Sequence, residues 1–553
     1  LTASGKTFKN LQKTPKMSPV KKGIFRIQIA LIVCCLLHAG LACASDAVRL
    51  FVKEVPLKVL GKEVTVIAIE QSNGVQGYFP EKSEGFHVEV VNQLKVPTAI
   101  HWHGLLLPNL MDGVPFVTQN PIAPGESVRY DFPLRQSGSY WMHSHYGLQE
   151  QLFNSAPLII WTPEEKAKAK HQAIVMLSDF SFTPPEQILK TLKAGMKMPG
   201  MGDKSAGKMS ERQMGNSEKM PEPAVGKEPA NVVAQIWDDQ KQILTRTVIR
   251  APAAEIDVRY DALLANRRPL DDPEVLHVEP GESVLLRLIA AASATNFYID
   301  TGQLKAEVLA VDGQEVRPIR GNFFQLGTAQ RMDLRLSIPK QGGAFPILAQ
   351  GEGSKLLCGA ILLTKGALPP KLSPIASLST AALSNVQESR LRAANPLPEA
   401  KLDRMLDAAL GGDVAAYVWN INGEAYPNRN SLDVRSNERV GIVLTNSTTM
   451  GHPMHLHGHE FEVVEIDGKK IVGALRDTIL VPPGSKITVA FDTNNPGVWA
   501  FHCHLIYHLV TGMFTVLKYD GADARFWQPE KQATELQPSN TSSSGETPIS
   551  KAP

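Results

Sequence analysis

From Val48 to about Thr162, apolar and polar residues alternate in short runs broken by Gly, Pro or Asn, with no convincing amphipathic-helix pattern. Runs of period two predict strands with one buried face. The same texture returns in two later segments, so the chain reads as all-β, built of three tandem β-sandwich domains. The expected division is residues 45–167, 168–370 and 397–523. Residues 371–396 mix Pro, Ala and Ser and read as a linker, and about 185–229 form a polar insert rich in Gly, Lys and Pro. A short helix is expected at Leu402 to Leu410, and residues 524–553, which turn to Ser, Thr, Pro and Glu after Gln528, are expected to be a disordered tail.

The repetition can be followed residue by residue. Asn92 stands nine residues before His101 in a stretch ending His101-Trp-His103-Gly104, and Asn446 stands nine before His455 in a stretch ending His455-Leu-His457-Gly458. Gly125 of a Pro-Gly pair precedes Gly138 by thirteen residues, and His143-Ser-His145 follows. Gly484 of a second Pro-Gly pair precedes Gly497 by the same thirteen, and His502-Cys-His504 follows at the same interval. Phe132 and Phe491 occupy equivalent places, and a five-residue length difference separates the two alignments. The first and last domains are therefore duplicates. A middle copy keeps the turn (Pro280-Gly281-Glu-Ser-Val284) but has Ile299 where His143 should fall, so it has kept the scaffold and lost the histidines. Its expected task is to hold the outer domains apart at the right separation.

Charge adds an exclusion. A net charge of +2 over 553 residues gives no reason to expect nucleic acid or an acidic polymer as partner. Near the start, Met17 is a candidate initiator; Lys21, Lys22 and Arg26 precede the apolar run Ile27 to Leu37, and Ala42-Cys-Ala44 offers small residues for cleavage. Residues 1–44 thus read as an extension and a secretory signal of the general route, since no paired arginines precede the apolar run. The expected mature protein is periplasmic or secreted, with no membrane attachment once the signal is removed. Of five cysteines, only Cys358 and Cys503 lie beyond that signal, which excludes a disulfide framework. Cys358, in Leu356-Leu-Cys-Gly-Ala-Ile-Leu362, reads as plain core.

The chemistry centres on Val498 to Met513. If Phe501 to Leu505 is a strand, His502 and His504 face one way and Cys503 the other. Cys503 can then join His508 and Met513 in one centre while its neighbours serve another. Two histidines, one cysteine and a weak axial methionine are what a blue-copper site requires. Ten of the fifteen histidines lie in four clusters: His101 and His103; His143 and His145; His452, His455 and His457; His502, His504 and His508. Pairs at i and i+2 share a strand face, so eight imidazoles can converge from the two duplicated domains, enough for three ions. His452 and His508 remain to join Cys503. Zinc suits the ligand types but has no redox chemistry; copper suits both. One copper taking single electrons, with three more at O2, can supply the four electrons that convert O2 to two waters.

These motifs make the chain resemble the multicopper oxidases, the family of laccases, ascorbate oxidase and bacterial copper-resistance oxidases, across all three domains. The resemblance implies cupredoxin-like Greek-key sandwiches and four copper ions. It implies type 2 copper at His101 and His455, and type 3 coppers at His103, His143 and His504 and at His145, His457 and His502. Type 1 copper would lie at His452, Cys503 and His508 with Met513 axial. The export signal, the methionine-bearing insert and Tyr260-Asp-Ala-Leu-Leu-Ala-Asn266 look most like the periplasmic copper-resistance branch. Asp112, in Met111-Asp-Gly-Val-Pro115, resembles the family's proton-delivering acid, though Asp-Gly is also a simple turn signal. Where some relatives place a second acid, this chain has Leu509, so a second relay residue must come from elsewhere. His459 lies beside the ligands and either supports them or is ordinary core.

The implied partners are O2 and a small electron donor: Cu(I), Fe(II) or an electron-rich phenol. The axial thioether of Met513 implies a modest potential that favours such easily oxidised donors. Met196, Met198, Met201, Met209, Met214 and Met220 place six thioethers in twenty-five residues of the insert. They read as a Cu(I)-collecting segment or as a polar surface insert in which methionine is common. Three functions stay open: a Cu(I) oxidase of copper tolerance, a laccase-like phenol oxidase, and a copper-sequestering protein.

Overall fold

The structure, a computed structural model, describes residues 47–168, 171–195, 229–428 and 431–536. The expected signal, the six methionines of the insert and the end of the tail lie outside these residues. The chain from Val48 onward forms one compact unit.

Three two-sheet sandwiches follow one another. In the first, strands Val48–Val59, Lys62–Gln71, Phe86–Asn92 and Ser127–Phe132 make one sheet, and Ile100–His103, Gly138–Ser144 and Ser155–Ile160 the other. The middle sandwich has an eight-stranded and a five-stranded sheet, the last a seven-stranded and a five-stranded sheet. Each begins with a strand that runs parallel to a later one, which a hairpin cannot provide: Val52 pairs with Asn92, Leu177 with Ala290, and Leu410 with Asn446. Alternation along these strands sends Val88, Val90, Trp102, Tyr130 and Met142 inward. One apolar cluster runs unbroken from the first sandwich into the third, while the middle sandwich keeps a core of its own. The two duplicated domains therefore meet directly.

The landmarks of the repeat have matching structural jobs. Asn92 is buried; its Nδ2 donates to the carbonyls of Val96 and Ile122, and its Oδ1 accepts from Leu94 N. Asn446 does the same with Met450 and Val481 and accepts from Thr448 N. Each asparagine closes the turn that leads into the histidine strand and satisfies backbone groups that would otherwise be buried unpaired. Gly125, Gly281 and Gly484 sit at φ of +80°, +80° and +70°, a left-handed turn that glycine adopts without a Cβ penalty. Ile299 is buried in the middle sandwich, its register partners being Phe324 and Ala349, so packing replaces the lost ligand. Cys358 is buried in strand Leu357–Thr364, as core.

The structure differs from the expectation at three places. From Arg404 to Leu410 the expected helix is instead the first part of strand Arg404–Asp413; Ala408 and Leu410 point inward while Met405, Asp407 and Ala409 are exposed. Pairing beside Arg439–Asn446 overrides the helix preference of Leu, Ala and Met. The segment 371–396 packs against its neighbours: Ala381 N donates to Val233 O, Leu383 and Leu391 are buried, and Glu388 pairs with Arg476. The described helices are α1 (Pro163–Ala167), α2 (Pro185–Lys193), α3 (Ile506–Val510) and α4 (Pro529–Leu536). Helix α2 turns the start of the expected insert into packed structure, burying Ile188, Leu189 and Leu192 at helical spacing. Helix α4 does the same for part of the tail through Gln532 and Leu536.

Candidate metal centre

Strand register builds the histidine cluster. In the first sandwich, His101 lies opposite His143; in the third, His455 lies opposite His502. The two pairs are equivalent under the duplication, and the contact between the sandwiches brings them together. His145, His457 and His504 lie just past their strands, tied by backbone bonds from their N–H groups to Ala99, Ala500 and Pro453. The strand expected to reach Leu505 ends at Cys503, yet His502 and His504 still face the cluster together.

All eight imidazoles are buried, and their ring nitrogens gather in sets whose members lie within 4.8 Å of one another. The sets are His101, His103 and His455; His103, His143 and His504; His145, His457 and His502. In six of the eight rings the partner of the outer nitrogen settles which nitrogen is left inside. Nδ1–H of His101, His143, His455 and His502 donates to the backbone oxygens of Asp112, Ser144, Asp477 and Cys503, and that of His457 donates to Asp112 Oδ2. Each leaves Nε2 as a bare lone pair. His103 is reversed: its Nε2 bonds Asp477 Oδ1 at 3.2 Å and Thr478 Oγ1 at 3.0 Å, and Nδ1 faces inward.

Nε2 of His101 and His455 and Nδ1 of His103 are buried without a hydrogen-bond partner. Nε2 of His457 lies 3.0 Å, and that of His145 3.3 Å, from His502 Nε2. Burial first, then the neighbouring histidines, drives the pKa of His103, His143, His145, His455, His457 and His504 well below the usual value. His502 is lowered to about 4, chiefly by burial. Neutral rings with unpaired, converging lone pairs are what a metal site needs, and are costly without a metal.

The second site repeats this logic. His452 Nε2 bonds Thr448 Oγ1 at 2.7 Å and His508 Nε2 bonds Asp257 Oδ2 at 2.6 Å, leaving both Nδ1 atoms inward. They lie 3.7 and 3.8 Å from Cys503 Sγ and 3.2 Å from each other. Three donors about 2.0–2.3 Å from one centre in a plane would be about 3.5–3.7 Å apart, so the triangle fits a single trigonal ion. Burial pushes the Cys503 thiol pKa up, and metal binding would have to displace its proton. Helix α3 carries His508, and the loop closes where Met513 N donates to His508 O and Cys503 N donates to Met513 O. Met513 is buried there, and Trp419 stacks on the His508 ring with centroids 3.8 Å apart.

Asp112 is buried between the sandwiches. Its Oδ1 lies 3.2 Å from His101 Nδ1 and its Oδ2 3.0 Å from His457 Nδ1, so it is more than a turn residue. His459 donates from Nδ1 to His457 O and bonds Tyr519 through Nε2 at 2.6 Å, which ties it to the backbone of a cluster histidine. Three acids escaped the sequence reading. Glu150 Oε2 is 3.0 Å from His143 Nδ1 and its Oε1 3.7 Å from His504 Nδ1; burial raises its pKa well above the carboxylate range. It lines a small cavity together with Leu509, the position where a second acid was sought. Asp477 holds His103 and His455, and Asp257 covers His508. The one signal for Glu150 was its place five residues after His145; Asp477 and Asp257 had none, because Asp477 reaches His103 and Asp257 reaches His508 across domain boundaries.

Family models described as multicopper oxidase match residues 53–165, 232–364 and 400–523. The chain is 30% identical over 453 residues to multicopper oxidase MmcO of Mycobacterium tuberculosis, across 78% of this chain and 79% of that one. It is 26% identical over 583 residues to copper resistance protein A of Pseudomonas syringae pv. tomato, across 85% and 92%. In fold it is similar to the crystal structure of Fet3p, a multicopper oxidase that functions in iron import, with a TM-score of 0.66 over 88% of this chain and 93% of that chain at 20% identity. With all three sandwiches matched and a relative of this identity and coverage, the chain belongs to the multicopper oxidase family.

Proposed function

We propose that the chain is an exported oxidase that couples one-electron oxidation of Cu(I), in copper tolerance, to four-electron reduction of O2 to water. His101 and His455 would hold one copper ion, His103, His143 and His504 a second, and His145, His457 and His502 a third; His452, Cys503, His508 and Met513 would hold the fourth. Bound copper would supply the redox chemistry, taking single electrons at the Cys503 site and passing four to O2 at the histidine cluster. One observation carries the reading: three consecutive residues serve both sites. Cys503 belongs to the triangle with His452 and His508, while His502 and His504 each belong to a histidine set. The backbone between them is a short covalent route from one centre to the other.

The remaining residues handle protons and access. Making two waters takes up four protons, and Asp112 holds a carboxylate against His101 and His457 at the heart of the cluster. Glu150, whose pKa burial raises well above the ordinary carboxylate value, supplies the second acid beside His143 and His504. Apolar Ile506, Leu509 and Leu536 around it exclude bulk water.

At the donor side, Asp257 Oδ2 sits on His508 Nε2 and accepts from the Tyr417 hydroxyl at 2.7 Å. A carboxylate on the outward nitrogen suits a cation better than a phenol, which has to displace it. Gly195, the last described residue before the methionines, lies close to Ala415, two residues before Tyr417. Lys193 of α2 lines one cavity with Tyr417, Leu509 and Val510. That the described chain reaches this side at Gly195 supports the reading that the segment Met196 to Met220 collects Cu(I). The phenol-oxidising reading is favoured by a larger cavity of about 570 Å³, lined by Tyr260, Leu263, Met450 and Leu505 among others. Among the described residues no helix is long and apolar enough to cross a membrane; export rests on the signal-like residues 17–44.

The test is steady-state O2 uptake by the copper-loaded chain, with Cu(I) and a phenol side by side, before and after deletion of residues 196–220. The expected result is a marked preference for Cu(I) that falls several-fold on deletion while phenol oxidation persists. A phenol preference would make the protein laccase-like, and unchanged Cu(I) turnover would overturn the collecting role.

A further inference from the structure

The middle sandwich carries none of the histidines, yet one of its side chains reaches into the cluster. Arg331, at the start of strand Arg331–Ser337, is fully buried. Its Nη1 and Nη2 donate to Asp477 Oδ1 and Oδ2 at 2.8 and 2.5 Å, a bidentate pair. Its Nε donates to Ser139 O of the first sandwich at 3.1 Å, and its guanidinium lies over the Tyr140 ring. Behind it, Asp312 Oδ1 accepts from Arg331 N at 2.9 Å and Asp312 Oδ2 lies 3.3 Å from Arg476 Nη1. One guanidinium thus touches all three sandwiches.

Its partner Asp477 holds two cluster histidines. The backbone oxygen takes Nδ1–H of His455 from its own domain, and Oδ1 takes Nε2–H of His103 from the other. Asp112 is the counterpart across the duplication: its backbone oxygen takes Nδ1–H of His101 and its Oδ2 takes Nδ1–H of His457. The two devices differ in one respect. Among the described residues the ion-pair partners of Asp112 are histidines, whereas Asp477 is clamped by Arg331. That difference coincides with the reversal of one ring of the histidine cluster, since His103 has its Nε2 tied to the side chains of Asp477 and Thr478 and its Nδ1 turned inward. Gly104 records the same constraint: a Cβ there would lie 2.5 Å from both Arg331 Nη2 and Asp477 Oδ2.

We infer that Arg331 is a positioning residue of the metal centre, which through Asp477 selects the nitrogen that His103 presents and so makes the middle sandwich part of the histidine cluster. The inference rests on the ligand roles proposed above. A buried ion pair is on average no large source of stability, whereas outer partners of metal-binding histidines typically change metal affinity 10–100-fold. Lysine cannot replace the fork, since a point charge meets one carboxylate oxygen at a time.

The test uses the full chain with Arg331→Lys, Arg331→Met and the nearly isosteric Asp477→Asn. Copper per chain, absorption of the Cys503 site, melting of the copper-free protein, and histidine-ring 15N spectra of the copper-free protein are measured. Copper affinity of the histidine cluster is expected to fall 10–100-fold in Arg331→Met and Asp477→Asn and less in Arg331→Lys. The Cys503-site absorption should be retained, and one ring should leave the tautomer that carries its proton on Nε2. Variants that bind copper like the parent with unchanged ring spectra would overturn the inference. So would a joint fall of both copper sites with the melting temperature, which marks a merely structural role. Failure of the parent chain to load the histidine cluster at all would instead overturn the ligand assignment.

Discussion

Helix α4 offers a sharp test, because the sequence reads there as disordered tail and the structure docks it beside the histidine cluster. Leu536 is 3% exposed and lines the small cavity bounded by His143, His145, His502 and His504. That cavity has room for about one water (≈ 10 Å³), so the docked helix leaves little space beside the cluster. Gly147 N donates to Glu535 Oε1 at 2.5 Å, and the Tyr426 hydroxyl donates to Gln532. Leu536→Ala removes a buried leucine from the end of a short helix, where neighbours can partly close over the gap, so the cost falls near the low end of the usual range, about 2–3 kcal/mol. At 1.4 kcal/mol per tenfold, undocking becomes roughly 30- to 150-fold more frequent. The measurement is the hydrogen-exchange protection of the Gly147 amide, which should drop by that factor, together with faster azide binding to the copper-loaded chain.

Glu535 adds a pH signature to that docking. Burial raises its pKa to about 8 from an ordinary 4.5, so the docked helix holds the proton. Docking is then strongest below about pH 4.5, where both states are protonated, and weakens as pH rises towards 8, because the released carboxyl ionises and must regain a proton to dock. Glu535→Gln should remove this dependence. Equal Gly147 protection in the parent and Leu536→Ala, or a docking equilibrium flat between pH 5 and 8 in the parent, would refute the reasoning.

Three further outcomes are expected. Cys503→Ser should abolish blue absorption and donor-driven O2 uptake while the histidine cluster still takes up copper; copper tolerance that survives it would favour a sequestering protein instead. Asp112→Asn keeps the shape between His101 and His457 but loses an acid, so kcat should fall about 10²–10³-fold with copper content and donor KM unchanged, as read by O2 uptake across pH; an unchanged kcat would leave Asp112 a turn and a prop. Gly104→Ala forces a Cβ into the Arg331–Asp477 pair at φ +86°, at a cost of about 1–3 kcal/mol. With a melting entropy of about 1 kcal/mol/K for a chain of this length, the melting temperature should fall only about 1–3 °C, with a larger loss of bound copper. Full copper loading in that variant would argue against the tight fit.

Local pattern alone determined a good deal. Period-two runs broken by Gly, Pro and Asn are a property of short segments, so the all-β class was legible. Duplication was legible because Asn92 and Asn446 close the same turn and His101 and His455 follow at the same spacing, which any register-preserving fold must respect. The opposite facing of Cys503 and its two neighbours follows from alternation about one backbone.

What the chain does at contacts distant in sequence was decided by the tertiary structure. Arg404 to Leu410 became strand because a pairing slot stood open beside Arg439–Asn446, and Pro529–Leu536 of the expected tail became α4 because the Tyr426 hydroxyl receives Gln532 and apolar surface near Leu509 receives Leu536. Asp477, Asp257 and Arg331 gain meaning only through His103, His508 and Ser139, each from another domain, and Glu150 only through its approach to His143 and His504. The choice between Nδ1 and Nε2 at rings such as His103 and His101 was equally out of reach, because it is set by the outer hydrogen-bond partner rather than by the ring's place in the chain. Spacing in a sequence can bring histidines to one face; only packing can decide which atom of each points inward.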